Sequence, residues 1–428
     1  MGEGDDAGHS PLVSDTTPDM IQPIAESGER IESLDFVRGV AVLGILVANI
    51  IAMGQPFEAA FFPGAFTLTP TDLDMQLWVG QFVLIDGKMR GLFSLLFGAG
   101  LYLFLEKSWE SGRTLGLQAR RLFWLGCFGL IHYYFIWAGD ILFLYAVCGF
   151  GVIALSGLSA KLQLAFGVIG YLTGAMFFAL VNFITMRAIA NDGTLEGMGG
   201  AFMEAAEYGL YDAQVETAIR QHGTYLDFVA HTFEVHATEP FASLLDGAME
   251  ALPLMAIGMA LYRFGLFEGR MNGRRLLAAS WTGFLVGGAA LLWIALDTLE
   301  GGIGYYEGLA ASTGWAPLPR LVMMLGMLGL LVSYAPQASG RIGQSIKAAG
   351  RTAFTNYLGA SIVMLFVFGN WGLDLFGELS RTSLYGVVAL AWIVMLLWSR
   401  LWLEHYRYGP LEWLWRCLTY GRVFQLRR

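Results

Sequence analysis

From residue 34 onward the chain repeats one pattern: a long apolar run, a short polar connection, another run. The runs are Leu34–Ala52, a stretch within Trp78–Leu105, Leu122–Ala138, Ile141–Leu158, Leu162–Met186, Phe241–Leu261, Leu276–Leu296, Leu318–Tyr334, Thr352–Phe368 and Ser383–Leu403. Each approaches the roughly 20 residues that an α-helix needs to cross a bilayer core. Most lack the polar face that a helix on a soluble protein would carry. The pattern predicts an all-α, polytopic membrane protein of about ten transmembrane helices, since only structures that satisfy their own backbone groups can cross lipid. The second run is too long for one straight span and holds Asp86, Lys88 and Arg90 near its middle. It predicts a helix broken at Gly87, with Trp78–Ile85 at the outer interface and the span proper starting near Arg90.

Composition strengthens this picture. The chain has 428 residues, 56% hydrophobic and 14% charged, against about 25% charged in soluble proteins. The net charge of −9 gives no footprint for nucleic acid and hides an asymmetry that fixes orientation. Of the 26 Lys and Arg, twenty fall before the first run, in alternate connections and in the C-terminal segment. Six (Lys88, Arg90, Arg187, Arg220, Arg320 and Arg381) fall on the opposite side. Basic residues stay cytoplasmic, so both ends are expected inside. The acidic, polar residues 1–33 have no apolar signal-peptide core and read as a disordered cytoplasmic tail. Residues 34–403 form the membrane domain, and 404–428 a basic, aromatic interfacial tail. An outer insert, Arg187–Glu239, has nine acids against two arginines and helical spacing at Phe202–Tyr211 and Tyr225–Phe233. Its His222, His231 and His236 match no strong metal-ligand spacing and read as surface histidines; no metal is expected. Cys127, Cys148 and Cys417 lie too far apart for a CxxC site. Gly283 and Gly287 form a GxxxG pair suited to close helix packing. The segment Gly149–Ala154 imitates a dinucleotide fingerprint inside a span and is discarded.

Ionisable residues inside spans are costly, about 2.5–3.5 kcal/mol each at the centre of a lone helix, so their clusters are candidate sites. Asp35 and Arg38 open the first helix at i,i+3 spacing, with Asn49 about three turns on. They serve either as an interfacial anchor pair or, through Arg38, as a site for a phosphorylated ligand. Asp86, Lys88 and Arg90 flank the helix break and could hold an anion, or form a charge cluster at the outer interface. His132 is followed eight residues later by Asp140 at a tight turn, an arrangement suited to proton transfer; the alternative is a structural hydrogen-bond donor. Later helices add the Asp246–Glu250 pair, Arg320, Asn356 and Tyr357.

In this order, Ser33–Gly54, Asp86–Leu103, His132–Tyr145, Gly350–Ser361 and Tyr408–Trp415 resemble the YeiB-like family of bacterial membrane proteins, a domain of unknown function. That family is similar to the transmembrane acyltransferases, which include heparan-α-glucosaminide N-acetyltransferase and bacterial sugar O-acetylases. The resemblance implies a multi-pass protein of the bacterial inner membrane that takes an acyl group from cytoplasmic acyl-CoA (acetyl-CoA) and delivers it to a small-molecule, glycan or lipid acceptor outside. Leu34–Gly39 matches the Leu/Val-Asp-x-x-Arg-Gly start of the acyltransferase first helix, and Asn49 matches an Asn late in it. The essential His near the outer end of that helix has no counterpart here, where Asn49–Gly54 contains none.

Two readings follow. As an acyltransferase, the chain would bind acyl-CoA at Asp35 and Arg38, with Arg38 holding the phosphates, and use His132 as base, oriented by Asp140. Asn49 or Asn356 would donate to the oxyanion, and Asp86, Lys88, Arg90, Asn356, Tyr357 and Arg320 would bind the acceptor. As a transporter or lipid- and anion-handling protein, it would use the same charges for binding alone, although the halves show no inverted repeat. Membrane lipid is an expected partner in either case, and a homodimer is compatible with both.

Overall fold

The computed structural model describes residues 31–112, 115–191 and 197–428; most of the predicted N-terminal tail lies outside them. The order is α1 (Glu32–Gly54), α2 (Asp72–Leu84), α3 (Lys88–Glu110), α4 (Leu115–Phe135), α5 (Leu142–Ala154), α6 (Ala160–Asn191), α7 (Met198–His222), α8 (Tyr225–Val235) and α9 (Glu239–Ala242). There follow α10 (Leu244–Arg263), α11 (Gly273–Glu300), α12 (Tyr305–Leu309), α13 (Pro317–Tyr334), α14 (Arg341–Arg351), α15 (Ala353–Phe368), α16 (Arg381–His405) and α17 (Pro410–Tyr420). No strand occurs among the described residues; one isolated bridge joins Tyr406 to Arg427.

Among the described residues, seven helical stretches are long and apolar enough to cross a membrane, and an eighth counts if α14 and α15, bent by 85°, act as one. The two remaining predicted spans are α4 and α5. The first opens on Gln118, Arg120 and Arg121, and the second has only 13 residues, about 20 Å at 1.5 Å per residue. They pack together as a hairpin. Two of the ten expected crossings are thus shorter or more polar at their ends than the run lengths suggested.

The predicted break is present. α2 and α3 meet at Gly87, which has φ +72°, a conformation costly for any residue with a Cβ. The Arg320 side chain packs against the same glycine, where a Cβ would collide with it.

The helices sort by burial. α1 is 67% buried along its most apolar stretch, against 22% for α6, α11 and α16. α1 packs against α3, α13, α14, α15 and α16 and forms the spine of the molecule. The outer helices present Leu180, Trp293 and Leu397 outward, as a lipid-facing surface requires. Gly283 and Gly287 lie where α11 crosses α13, a Cβ at Gly287 falling 2.5 Å from the Met323 backbone nitrogen. The insert is helical as predicted, in α7 and α8. Tyr225 donates to the Phe135 carbonyl at 2.7 Å and Asn370 N–H to Arg220 O at 3.1 Å, so it sits over the end of α4 and the turn after α15. Cys127, Cys148 and Cys417 are free.

Candidate functional site: two chambers and a buried His–Asp pair

A cavity of about 580 Å³ opens at the end of the bundle where α1 begins and α17 lies. Its mouth carries Arg38, Lys107, Arg121, Arg351, Arg407, Arg416 and Arg428 against the acids Asp35 and Glu412. All seven bases belong to the set assigned to the cytoplasmic side from sequence. Arg121 is held between the rings of Phe104 (4.8 Å) and Trp415 (4.5 Å), while the Trp415 indole donates to its carbonyl at 2.9 Å. Glu412 caps α15, accepting from the N–H groups of Phe354 (2.8 Å) and Thr355 (3.1 Å) and from the Thr355 hydroxyl at 2.5 Å. Burial pushes its carboxyl above the usual range. The C-terminal tail therefore folds back to build this mouth. Asp35 and Arg38 pair at 3.4 Å, as their spacing predicted.

Beyond the mouth the walls turn apolar, with Phe93, Leu96, Phe97 and Leu125, and the cavity ends at Ile141, Leu142, Tyr145 and Tyr357. A basic mouth with an apolar throat suits an amphipathic anion: phosphates at one end and a hydrocarbon or thioester at the other.

Beside the closed end stands the His132–Asp140 pair. The α4 helix ends at Phe135, a few residues earlier than the apolar run, so His132 occupies its last turn rather than lying deeper. Gly139 turns the chain back, and Asp140 Oδ1 meets His132 Nδ1 at 2.9 Å. Asp140 Oδ2 accepts the Phe143 N–H at 2.8 Å, which anchors the carboxylate at the start of α5. Both side chains are sealed, at 0% and 2% exposure. With Nδ1–H donated to the carboxylate, Nε2 carries the lone pair, and Nε2 is buried with no hydrogen-bond partner. The imidazole packs on Tyr357, ring centroids 5.2 Å apart, and the Tyr357 hydroxyl is likewise buried and unpartnered. This is the arrangement of a general base held in one tautomer by a carboxylate.

A second cavity, about 310 Å³, lies across Tyr145, which lines both. The Tyr145 hydroxyl bonds to the Ser94 hydroxyl and to the Arg90 carbonyl, each at 2.8 Å, closing the wall between the chambers. Arg90 pairs with Glu250 here, and Arg320 donates to the Ser312 carbonyl at 2.6 Å. Arg320 Nε and Glu250 Oε1 are buried without partners. The wall includes Thr313 of a π-helical turn, Ala310–Trp315, a geometry frequent at functional sites.

Not all the predicted residues converge. Asp35, Arg38 and Tyr357 line the first chamber, Arg90 and Arg320 the second. Asn49, half-buried on α1, lines neither. Asp86 accepts from Gln81 at 2.9 Å, and Gln81 accepts from Arg381 at 3.1 Å, a network that braces the helix break. The Lys88 ammonium, wholly buried, donates to the Phe82 carbonyl at 2.6 Å. Asn356 donates to Ala349, Thr352 and Ser399 and accepts from the Trp398 indole at 2.8 Å; its hydrogen-bonding capacity is used to bind α15 to α16. Sequence reasoning missed Tyr145, Ser94, Arg121, Arg351 and Glu412. The Asp35–Arg38 pair and the basic tail were the signals available for the mouth, and Tyr and Ser within an apolar run gave none.

The family described as "Protein of unknown function (DUF418)" matches residues 261–422. The chain is 31% identical over 405 residues to the uncharacterized protein YeiB of Escherichia coli (strain K12), covering 91% of this chain and 96% of that protein. It is 29% identical over 408 residues to the uncharacterized protein YxaH of Bacillus subtilis (strain 168), covering 92% and 95%. No solved structure matches the chain. A shared sequence along nearly the whole of both chains places this protein in the YeiB-like (DUF418) family of membrane proteins.

Proposed function

We propose that this protein is a membrane acyltransferase whose donor, an acyl-CoA, enters the basic chamber and whose acceptor occupies the second chamber. One observation carries the reading: a basic-mouthed, apolar-throated cavity ends beside a buried His–Asp pair that leaves one imidazole nitrogen free. The CoA phosphates sit among Arg38, Arg121 and Arg351, and the acyl thioester reaches the Tyr145–Tyr357 end. An acceptor hydroxyl or amine attacks the thioester carbonyl while His132 Nε2 takes its proton. The C–S bond breaks, the acyl group passes to the acceptor, and the CoA thiolate leaves with the proton from His132. Asp140 stabilises the imidazolium formed between these steps. Arg90 and Arg320 orient an acceptor with anionic or polyhydroxyl character. The basic mouth faces the cytoplasm in an N-in, C-in protein of the bacterial inner membrane, so the acyl group crosses toward the outer side.

Two chambers meeting at one closed wall also serve a transporter, in which Tyr145 would gate an anion. Equilibrium binding separates the readings. Purified protein should bind acetyl-CoA or a longer acyl-CoA, and Arg121→Gln should weaken binding at least tenfold. A protein that binds neither compound, yet carries an anion across proteoliposomes, would be a transporter.

A further inference from the structure

The insert brings together residues that are far apart in sequence. Asp212 of α7, His231 of α8 and His236 just beyond α8 offer one ligand atom each, all within 4.8 Å of one another. Asp212 Oδ2 lies 3.1 Å from His236 Nε2, and Asp212 Oδ1 lies 3.4 Å from His231 Nε2. Two bonds of ~2.0 Å at the tetrahedral angle separate zinc ligands by about 3.3 Å, and the two contacts, which run to different oxygens of the Asp212 carboxylate, are each compatible with that separation.

The hydrogen-bond partners of the cluster are compatible with an ion. His236 Nδ1 meets Glu239 Oε1 at 2.7 Å, and this bond commits the Nδ1–H to the carboxylate. In the neutral ring, Nε2 then presents a lone pair to another carboxylate, that of Asp212, and the two acceptors repel unless a metal ion or a second ring proton stands between them. His231 Nε2 is buried and makes no hydrogen bond despite facing the same carboxylate. Glu58 interacts electrostatically with Asp212 and His236, and its Oε2 is also buried and unpartnered. Three possible ligand atoms thus converge, and Glu239 orients one of them from behind, as carboxylates do for metal-bound histidines.

We propose that Asp212, His231 and His236 bind a zinc-class divalent ion. Two imidazole nitrogens and one carboxylate oxygen suit Zn²⁺ or Co²⁺ and not Ca²⁺ or Mg²⁺, which take oxygen ligands. The outer ligand Glu239 also accepts the Tyr133 hydroxyl at 2.8 Å. The ion would therefore fasten the insert to α4 one residue from His132, whether or not that histidine transfers acyl groups.

The test uses full-length protein in mild detergent, free of any affinity tag and stripped with chelator. Titration with CoCl₂ should give the visible absorption of a four-coordinate cobalt site at a 1:1 ratio, displaced by ZnCl₂. Asp212→Asn and the double variant His231→Ala/His236→Ala should abolish it, Glu239→Gln should weaken it by about 10–100-fold, and His222→Ala should leave it intact. Gel filtration and near-UV circular dichroism confirm that each variant is folded. No cobalt spectrum in the folded wild type, or an unchanged one in the double variant, would overturn the proposal, and the His–Asp contacts would then be ordinary imidazolium ion pairs.

Discussion

Asp140→Asn isolates the chemistry of the His–Asp pair with the least change of shape. The Phe143 N–H can only donate, and it sits 2.8 Å from Asp140 Oδ2. An asparagine must therefore turn its carbonyl oxygen toward Phe143 and its NH₂ toward His132 Nδ1, 2.9 Å from the other carboxylate oxygen. A donor at that position makes Nδ1 the acceptor and moves the ring proton to Nε2, the nitrogen that must be free to act as base. In a serine-protease triad the same inversion costs about 10⁴ in kcat. We expect a loss of about 10³–10⁴ in turnover here, or roughly 4–5.5 kcal/mol at 1.36 kcal/mol per decade. The acyl-CoA dissociation constant should stay within about threefold, because the basic mouth is untouched. The assay is release of free CoA by purified protein given an acyl-CoA and a membrane extract as acceptor, with binding measured in parallel. More than a tenth of wild-type turnover in a folded Asp140→Asn protein would refute the tautomer argument. Equal losses of binding and turnover would give the pair a structural role instead.

Further outcomes follow from other positions. Gly129→Ala would place a Cβ 2.8 Å from Asp140 Oδ2 and against the Phe143 backbone; it should push α5 from α4 and cost activity as severely as His132→Ala, with acyl-CoA binding retained. Glu412→Ala removes the cap of α15 and should cost about 1–2 kcal/mol, read as a lower unfolding midpoint in detergent, while Glu412→Gln keeps the packing and should cost less. Burial raises the Glu412 carboxyl above its ordinary 4.5, so its contribution is full below that pH and falls as pH rises through the folded value. Midpoints of wild type should accordingly decline more above pH 4.5 than those of Glu412→Gln. Reporter fusions at Gly200 and after Arg428 should mark opposite sides of the membrane, the second cytoplasmic; the same side for both would refute the orientation.

Periodicity and composition carried the helical, membrane-spanning architecture and the break at Gly87, because long apolar runs and a charged interruption are one-dimensional signals. The α4–α5 hairpin was less legible. Two apolar runs joined by a tight turn look like two full crossings, and only the fold shows that α5 is 13 residues long. The pairing of His132 with Asp140 was readable from spacing and the intervening glycine. The fates of Lys88 and Asn356 were not, since a buried polar residue reads alike whether it binds a ligand or a backbone carbonyl. Tyr145 separates two chambers whose walls come from helices distant in sequence, and the Asp212–His231–His236 cluster spans two helices at a spacing that matches no motif. Sites assembled across elements leave no local pattern.

Consumption of acyl-CoA at His132 would leave the acyl group on a membrane acceptor. Inside-out membrane vesicles from cells making the protein, supplied with acetyl-CoA radiolabelled in the acyl group, test it directly. Label should appear in the lipid or glycan extract above the level of vesicles lacking the protein, and that excess should be lost in His132→Gln vesicles with equal protein content. No excess label with acetyl- or longer acyl-CoA, or the same excess in His132→Gln, would contradict it.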